Sequence, residues 1–486
     1  MNDERTEHRA HPAPGRTGDD AAHRHERVQM RDRVIVAVAR TATRSFFRSV
    51  EVVGTPPPPG PTIVAASHLN GFVDPVVLIA EIGLLPRFLA KATLWANPAA
   101  KVALGFARVI PVHRAADGST SANAAMFADA VDALEHRDTL AVFAEGTTHD
   151  DPTIRPVRTG VARIALQAAG QGVASIRVVP VGITYDDKVA LRGRILIHYG
   201  TPIEVPVDPG LLDADGAPDH DKVRAFTDHL QARIESLTPH FASTEDYLAL
   251  TAAAQINLRT DVQRDRPPPM ADVAADARTL SRVDAPRRAT LVSLVARYEM
   301  LRGFVGLDDA TVVRGVNLRA LSRRVALLVA VIVVLSPLAV AGLFANLVPL
   351  LLVTVAGMLP KAPVSKGTIR VLVAVVTFPA MWLLLALSDA GTGALGNLAR
   401  AVTLPVNALL GPLPSDRAGV LAAIVVLAAV PLMGIFAVLV ISQARALLGA
   451  VLRWRTLLDR RGQLDTVRAR RDDVVAATRE LLHDAP

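Results

Sequence analysis

The 486-residue chain contains no cysteine. Disulfides, thiolate zinc sites and a thiol nucleophile are therefore excluded from its own chemistry. Aromatic residues make up only 4% of the sequence, which argues against a surface that stacks nucleic-acid bases. No nucleic-acid partner is expected. Residues 1–30 hold no apolar run, so no secretory signal is expected there. Their His, Arg, Asp and Pro content reads as a disordered polar tail.

Positive charge and apolar residues are what the chain has in excess. Against 46 Asp+Glu stand 53 Lys+Arg, giving a formal net charge of +7, and 51% of residues are hydrophobic. A basic balance suits anionic lipid or phosphorylated metabolites. The apolar content points to a chain associated with membranes.

Composition changes along the chain. Residues 31–50, including "VIVAVARTATRSFFRSV", read either as an amphipathic helix in a membrane interface or as a helix packed on its own domain. "GTPPPPGP" at 54–61 is a stiff connector. Beyond it, strand-like runs at 62–66, 107–112, 139–144, 177–184 and 194–199 alternate with helical periodicity at 121–136, 161–169 and 222–237. This alternation predicts an α/β domain over 51–242, a central sheet flanked by helices. Such sheets collect ligand groups at strand ends and the loops that follow. Residues 243–320 read as a helical linker, interrupted by "RDRPPPM".

An all-α transmembrane domain is expected over 321–445. Residues 325–360 are uncharged but contain Pro337, Gly342, Asn346 and Pro349. Split near Gly342, each half has about 17 residues, the lower edge of the ~17–25 needed to span a bilayer. The segment therefore reads as a tight hairpin or re-entrant pair, followed by spans at 371–388 and 419–442. Residues 446–486 read as a basic helical tail. Arg319, Arg323 and Arg324, then Lys361, Lys366 and Arg370, then Arg445, Arg453, Arg455, Arg460 and Arg461 flank the apolar stretches. The positive-inside rule puts these clusters, both termini and the α/β domain in the cytoplasm. An integral protein of the cell membrane is the expectation.

Chemistry-bearing residues fall in four stretches of the α/β domain. "SHLNGFVDP" at 67–75 sets His68 and Asp74 on a short turn. Its plain structural reading is a loop whose Asp74-Pro75 starts a helix. "ARVIPVHR" at 107–114 ends an apolar strand in Arg114, whose guanidinium suits a phosphate. "VFAEGTTHDDPTIRPVRTGVARIAL" at 142–166 delivers Glu145 and Gly146 to a loop, the glycine permitting close approach of ligand or backbone. Arg158 and Gly160 then open a helix, a position that favours anions. "VVPVGITY" at 178–185 reads as an apolar floor strand.

In this order and spacing, over roughly 62–200, the four stretches resemble the PlsC-like glycerolipid acyltransferase family. Two departures stand out. Ser67 replaces the usual Asn before the histidine, with five residues rather than four before Asp74, and "FAEGTT" stands for "FPEGTR". In both the chain resembles the fungal-type enzymes that acylate glycerol 3-phosphate or dihydroxyacetone phosphate. The resemblance implies His68 as general base and Asp74 as its orienting partner. It implies that Arg114 and Arg158 hold the acceptor phosphate and that Glu145, Gly146 and Gly160 complete the acceptor pocket. The expected co-substrate is an acyl thioester, acyl-CoA or acyl carrier protein, with no further cofactor and no metal. Membrane lipids and a phosphorylated glycerol are the expected partners.

Three alternatives stay open. The acceptor is lysophosphatidate instead. Or the protein is a metal-dependent phosphohydrolase using His68, His149, Asp150 and Asp151. Or it binds or transports lipid without catalysis, through the membrane segment.

Overall fold

The structure is a computed structural model. It describes residues 17–484 apart from 97, 114–120, 150, 152, 187–192, 239–240, 260–266, 315–317, 359–362, 393–414 and 460. A long helix, α1 (Thr17–Phe46), leads into β1 (Ser49–Val53), and the proline-rich connector carries the chain to β2 (Thr62–Ala66). Strands and helices then alternate: α2 (Val73–Ile82), β3 (Arg87–Lys91), α3 (Pro98–Phe106), β4 (Ile110–Val112), α4 (Ser121–Glu135), β5 (Thr139–Phe143) and α5 (Gly160–Gly170). The domain closes with β6 (Ile176–Tyr185), β7 (Arg194–Tyr199), β8 (Ile203–Val205) and α6 (His220–Glu235).

The strands form one mixed sheet in the order β1-β7-β6-β2-β5-β3-β4, with β8 also on β6. β2 lies parallel to both β5 and β6, and β3 parallel to β5 and β4. The carboxyl ends of these five strands therefore share one edge. Every residue of β2 is buried, as expected for a strand covered on both faces. Its side chains alternate between two cores. Ile63 and Ala65 join Leu134, Ile164 and Leu230 of α4, α5 and α6, while Val64 and Ala66 join Val36, Val77 and Leu78 of α1 and α2.

The sheet has three strands that periodicity does not reveal. β1, β3 and β8 are five, five and three residues long, and their sequences SVEVV, RFLAK and IEV mix charge into the apolar pattern. The strand expected at 107–112 begins only at Ile110. Arg108 adopts φ 54°, and Val109 donates back to the Leu104 carbonyl, so 107–109 terminate α3. The helix expected at 31–50 ends at Phe46, and Ser49 onward pairs with β7. It packs on its own domain through Val36, Ala39 and Thr43, with Phe47 buried just past its end, yet exposes Met30, Val34 and Val38 on another face. It also starts at Thr17, inside the stretch expected to be disordered. Ala, Glu, Arg, Gln and Met supply helix propensity there. Residues 1–16 lie outside the described residues.

Beyond α6 the chain is helical: α7 (Thr244–Leu258), α8 (Met270–Ser281), α9 (Ala285–Val305), α10 (Asp309–Arg314), α11 (Leu318–Ala345), α12 (Leu347–Ala356), α13 (Pro363–Thr392), α14 (Ser415–Asp459) and α15 (Arg461–His483). The linker and the C-terminal tail are not separate units. Val467, Val474 and Leu481 of α15, seven residues apart, enter one core with Leu250, Val273, Leu291 and Tyr298. Arg471 seals it, donating to Asp309 at 2.9 Å and to the carbonyl of Ile256 at 2.7 Å. The tail's charge had masked this apolar stripe.

Between these two packed flanks lie helices long and apolar enough to cross a membrane, Val325–Ala345 and Ala423–Gly449, with the shorter apolar stretches Leu347–Ala356 and Val376–Leu387. The expected break near Gly342 falls instead at Asn346. Gly342 stays helical, and its lack of a side chain lets α14 pack so closely that a Cβ there would meet the Met433 carbonyl. The Asn346 side chain donates to the Gly342 carbonyl at 2.8 Å and accepts Trp382 Nε1–H at 2.8 Å.

Candidate active site

The site grows from the ends of β2, β5 and β6. Ser67 and His68 follow the last residue of β2. The Ser67 N–H donates to the Val181 carbonyl at 3.0 Å, and its hydroxyl accepts the Ile183 N–H at 2.9 Å. Ser67 thus extends the β2–β6 ladder by one step through its side chain. This gives the unusual serine a structural use.

Residues 69–72 then turn the chain into α2, and Asp74 points back from the first helical turn. Its Oδ2 accepts His68 Nδ1–H at 2.9 Å, the Leu69 N–H at 2.9 Å and the Asn70 N–H at 2.8 Å. Its Oδ1 accepts the Tyr185 hydroxyl. The helix begins after Phe72, not at Asp74, and that cap makes no side-chain hydrogen bond. Asp74 therefore organises the turn rather than capping the helix. With five residues between them, His68 and Asp74 still meet, and two successive backbone N–H groups wrap the same carboxylate oxygen.

A carboxylate can only accept, so Asp74 assigns the proton to Nδ1 and leaves Nε2 of neutral His68 as the basic atom. The imidazole stacks on Phe143 with centroids 3.9 Å apart and planes 16° apart. Side-chain exposure separates the partners, 16% for His68 and 0% for Asp74. His68 is the member that a substrate can reach.

Glu145 sits two residues past β5 and is fully buried. Oε1 accepts the His68 N–H at 2.8 Å, and Oε2 accepts the Arg155 N–H at 2.8 Å and the ring of His149 at Nε2. Both oxygens face inward, tying the 145–155 loop to the base. Gly146 takes φ +68°, and a Cβ there would lie 3.4 Å from Arg158 Cγ. The Arg158 N–H donates to the Ala144 carbonyl at 2.8 Å, which brings this exposed arginine beside Gly146. Gly160 opens α5 two residues later, so its N-terminal N–H groups adjoin the guanidinium-bearing segment. Arg114 lies outside the described residues. β4, which precedes it, ends at Val112 on the same edge of the sheet.

The metal alternative named His68, His149, Asp150 and Asp151. His149 offers Nε2 to Glu145, and its Nδ1 accepts the Asp151 N–H at 3.2 Å. His68 commits Nδ1 to Asp74. Among the described residues no group of three or more His, Asp or Glu is arranged to hold an ion, and Asp150 lies outside them.

Two residues of the site escaped sequence reasoning, Ser67 and Tyr185. Burial first, and then the Asp74 charge, push the Tyr185 phenol well above its ordinary range. Its only sequence signal is the phenol that closes the apolar strand "VVPVGITY".

Residues 49–184 match the family model described as Acyltransferase. Glycerol-3-phosphate O-acyltransferase 2 of Saccharomyces cerevisiae is 28% identical over 197 residues, 40% of this chain and 26% of that protein. Glycerol-3-phosphate O-acyltransferase 1 of the same yeast is 27% identical over 124 residues, 25% of this chain and 16% of that one. The chain thus spans about a quarter or less of these yeast relatives. The lyso-ornithine lipid O-acyltransferase of Brucella abortus is 29% identical over 167 residues, 34% of this chain and 58% of the relative. The unit that joins His68, Asp74, Glu145 and Arg158 on one sheet edge is, over residues 49–184, an acyltransferase-family domain.

Proposed function

We propose that this protein is a membrane-bound O-acyltransferase that moves a fatty acyl group from a thioester to a hydroxyl of glycerol 3-phosphate or a related phosphorylated glycerol. The observation that carries the reading is the His68–Asp74 pair, 2.9 Å apart at Nδ1, with a buried carboxylate and an accessible imidazole. Nε2 takes the proton from the acceptor hydroxyl as its oxygen attacks the thioester carbonyl. The imidazolium is stabilised by Asp74. Collapse of the tetrahedral intermediate breaks the C–S bond, and the thiolate leaves with the proton from His68. No protein nucleophile is needed, and the thioester, acyl-CoA or acyl carrier protein, is the one co-substrate of the scheme.

Arg158, Arg114 and the α5 N-terminus at Gly160 are the groups suited to an acceptor phosphate, since a guanidinium and helix N–H groups both donate to its oxygens. The names of the two yeast relatives favour glycerol 3-phosphate. The name of the Brucella relative favours a lysolipid acceptor as the second reading.

Residence in the cell membrane with the catalytic domain in the cytoplasm is supported by three features. The basic clusters flank the apolar helices, in accord with the positive-inside rule. α9 and α15, which stand on either side of the apolar segment in sequence, share one core and so belong on one side. The exposed Met30, Val34 and Val38 of α1 suit contact with the interface.

The test offers glycerol 3-phosphate and lysophosphatidate together at equal effective concentration with labelled acyl-CoA, and separates the products. Lysophosphatidate as the main product supports the first reading. Phosphatidate alone supports the second. No labelled glycerolipid with any acceptor overturns both.

A further inference from the structure

Asp74 receives three hydrogen bonds from its own turn and a fourth from Tyr185, 111 residues away. That fourth bond comes from an overhanging strand. β2 pairs with residues 177–181 of β6 and then ends, whereas β6 continues to Tyr185. The overhang is fixed on every side. It pairs with β7 from Val181 to Tyr185, Ser67 bonds Val181 and Ile183, and the Tyr185 ring rests against Phe47 with centroids 5.8 Å apart. At Gly182 a Cβ would come within 2.6 Å of the Leu237 carbonyl, so the chain beyond α6 clamps the same segment from behind. A phenol carried on so constrained a strand has little freedom to leave Asp74.

We propose that Tyr185 is a positioning residue that sets both the orientation of Asp74 and the basicity of His68. The inference rests on the reading of His68 as the general base. A hydroxyl that donates to Oδ1 draws negative charge away from Oδ2, the oxygen facing the imidazole. Asp74 then holds the proton on His68 less tightly than a carboxylate lacking that bond, and the imidazolium gives the proton up more readily to the departing thiolate. The phenol stays protonated throughout the working range, because burial and the adjoining carboxylate both oppose its ionisation. Among the described residues, Glu145 reaches the pair through the His68 N–H and His149 lies behind it, both from the His68 side.

The experiment compares Tyr185→Phe, His68→Ala, Asp74→Asn and the Tyr185→Phe/Asp74→Asn double variant in the full-length protein, assayed with acyl-CoA and the preferred acceptor. Tyr185→Phe keeps the ring and its packing and removes only the donor. A charge-assisted bond of this kind predicts a fall in kcat of about ten- to hundred-fold with KM for both substrates unchanged. The acidic limb of the kcat/KM profile moves to higher pH, because the unrelieved Asp74 stabilises the imidazolium. In the Asp74→Asn background the same change costs almost nothing further. Partial unfolding lowers the amplitude of a pH profile without moving its limb, so the limb separates positioning from damage. If Tyr185→Phe leaves kcat within two-fold, or lowers it with the limb unmoved, the positioning role is overturned. If His68→Ala itself keeps activity, the base reading beneath it falls instead.

Discussion

The backbone N–H of His68 donates to the Glu145 carboxylate at 2.8 Å, joining residues 77 apart in sequence. One oxygen of Glu145 thus holds the base while the other holds Arg155 and His149. Glu145→Gln replaces one acceptor oxygen by an NH2 that can only donate. That NH2 then faces either the His68 N–H or the Arg155 N–H, both donors. The expected cost is about 1–3 kcal/mol of stability for a buried group left without its partner. Activity falls with it. Thermal unfolding of the variant reads the loss directly, and an unchanged Tm would show that the tie is dispensable.

Among the described residues of the loop, Gly146 alone is held at positive φ, with Arg158 against it. Gly146→Ala forces a Cβ into a left-handed conformation at about 1–2 kcal/mol. The new methyl meets Arg158 Cγ at van der Waals distance. The measured consequence is a rise in KM for the phosphorylated acceptor with little change in KM for the thioester. Arg158→Ala shifts the same constant further, and Arg158→Lys restores it only in part, since an ammonium lacks the paired donors of a guanidinium. Equal effects on both substrates would remove Arg158 from the acceptor site.

Much of this site was legible in the sequence because its parts are local. His68 and Asp74 share one turn, and Glu145, Gly146 and Arg158 share one loop. Tyr185 was not legible, since its bond to Asp74 exists only once β6 overhangs β2. The sheet's central strands stood out as unbroken apolar runs, whereas β1, β3 and β8 carry charged residues within three to five positions. The packing of the C-terminal helix was not legible for the opposite reason. Its many arginines conceal a narrow stripe, Val467, Val474 and Leu481, that packs fully.

All four tyrosines, Tyr185, Tyr199, Tyr247 and Tyr298, are pushed above their ordinary range, chiefly by burial. In the unfolded chain they ionise near pH ~10. Below that pH the folded and unfolded states bind the same phenolic protons, and stability is unaffected. Above it the unfolded state loses protons that the folded state keeps, so stability falls as pH rises. Melting temperatures measured from pH 8 upward should be flat at first and then drop steeply beyond about pH 10. A flat profile to higher pH would contradict the burial of these rings.

The shared core of α9 and α15 requires an even number of crossings between them. Because the chain has no cysteine, single cysteines report topology without background. Met300→Cys and Asp465→Cys, both at exposed positions, should react with an impermeant thiol reagent from the same side. Labelling from opposite sides would break the bundle apart as a physical unit.

The most direct measurement is turnover by purified wild-type and His68→Ala protein with labelled acyl-CoA and a phosphorylated glycerol acceptor. Loss of a general base lowers kcat by about 10²–10⁴-fold. The account predicts a loss in that range, labelled glycerolipid from the wild type, and unchanged unfolding of the variant. More than about a tenth of wild-type turnover in His68→Ala would contradict it.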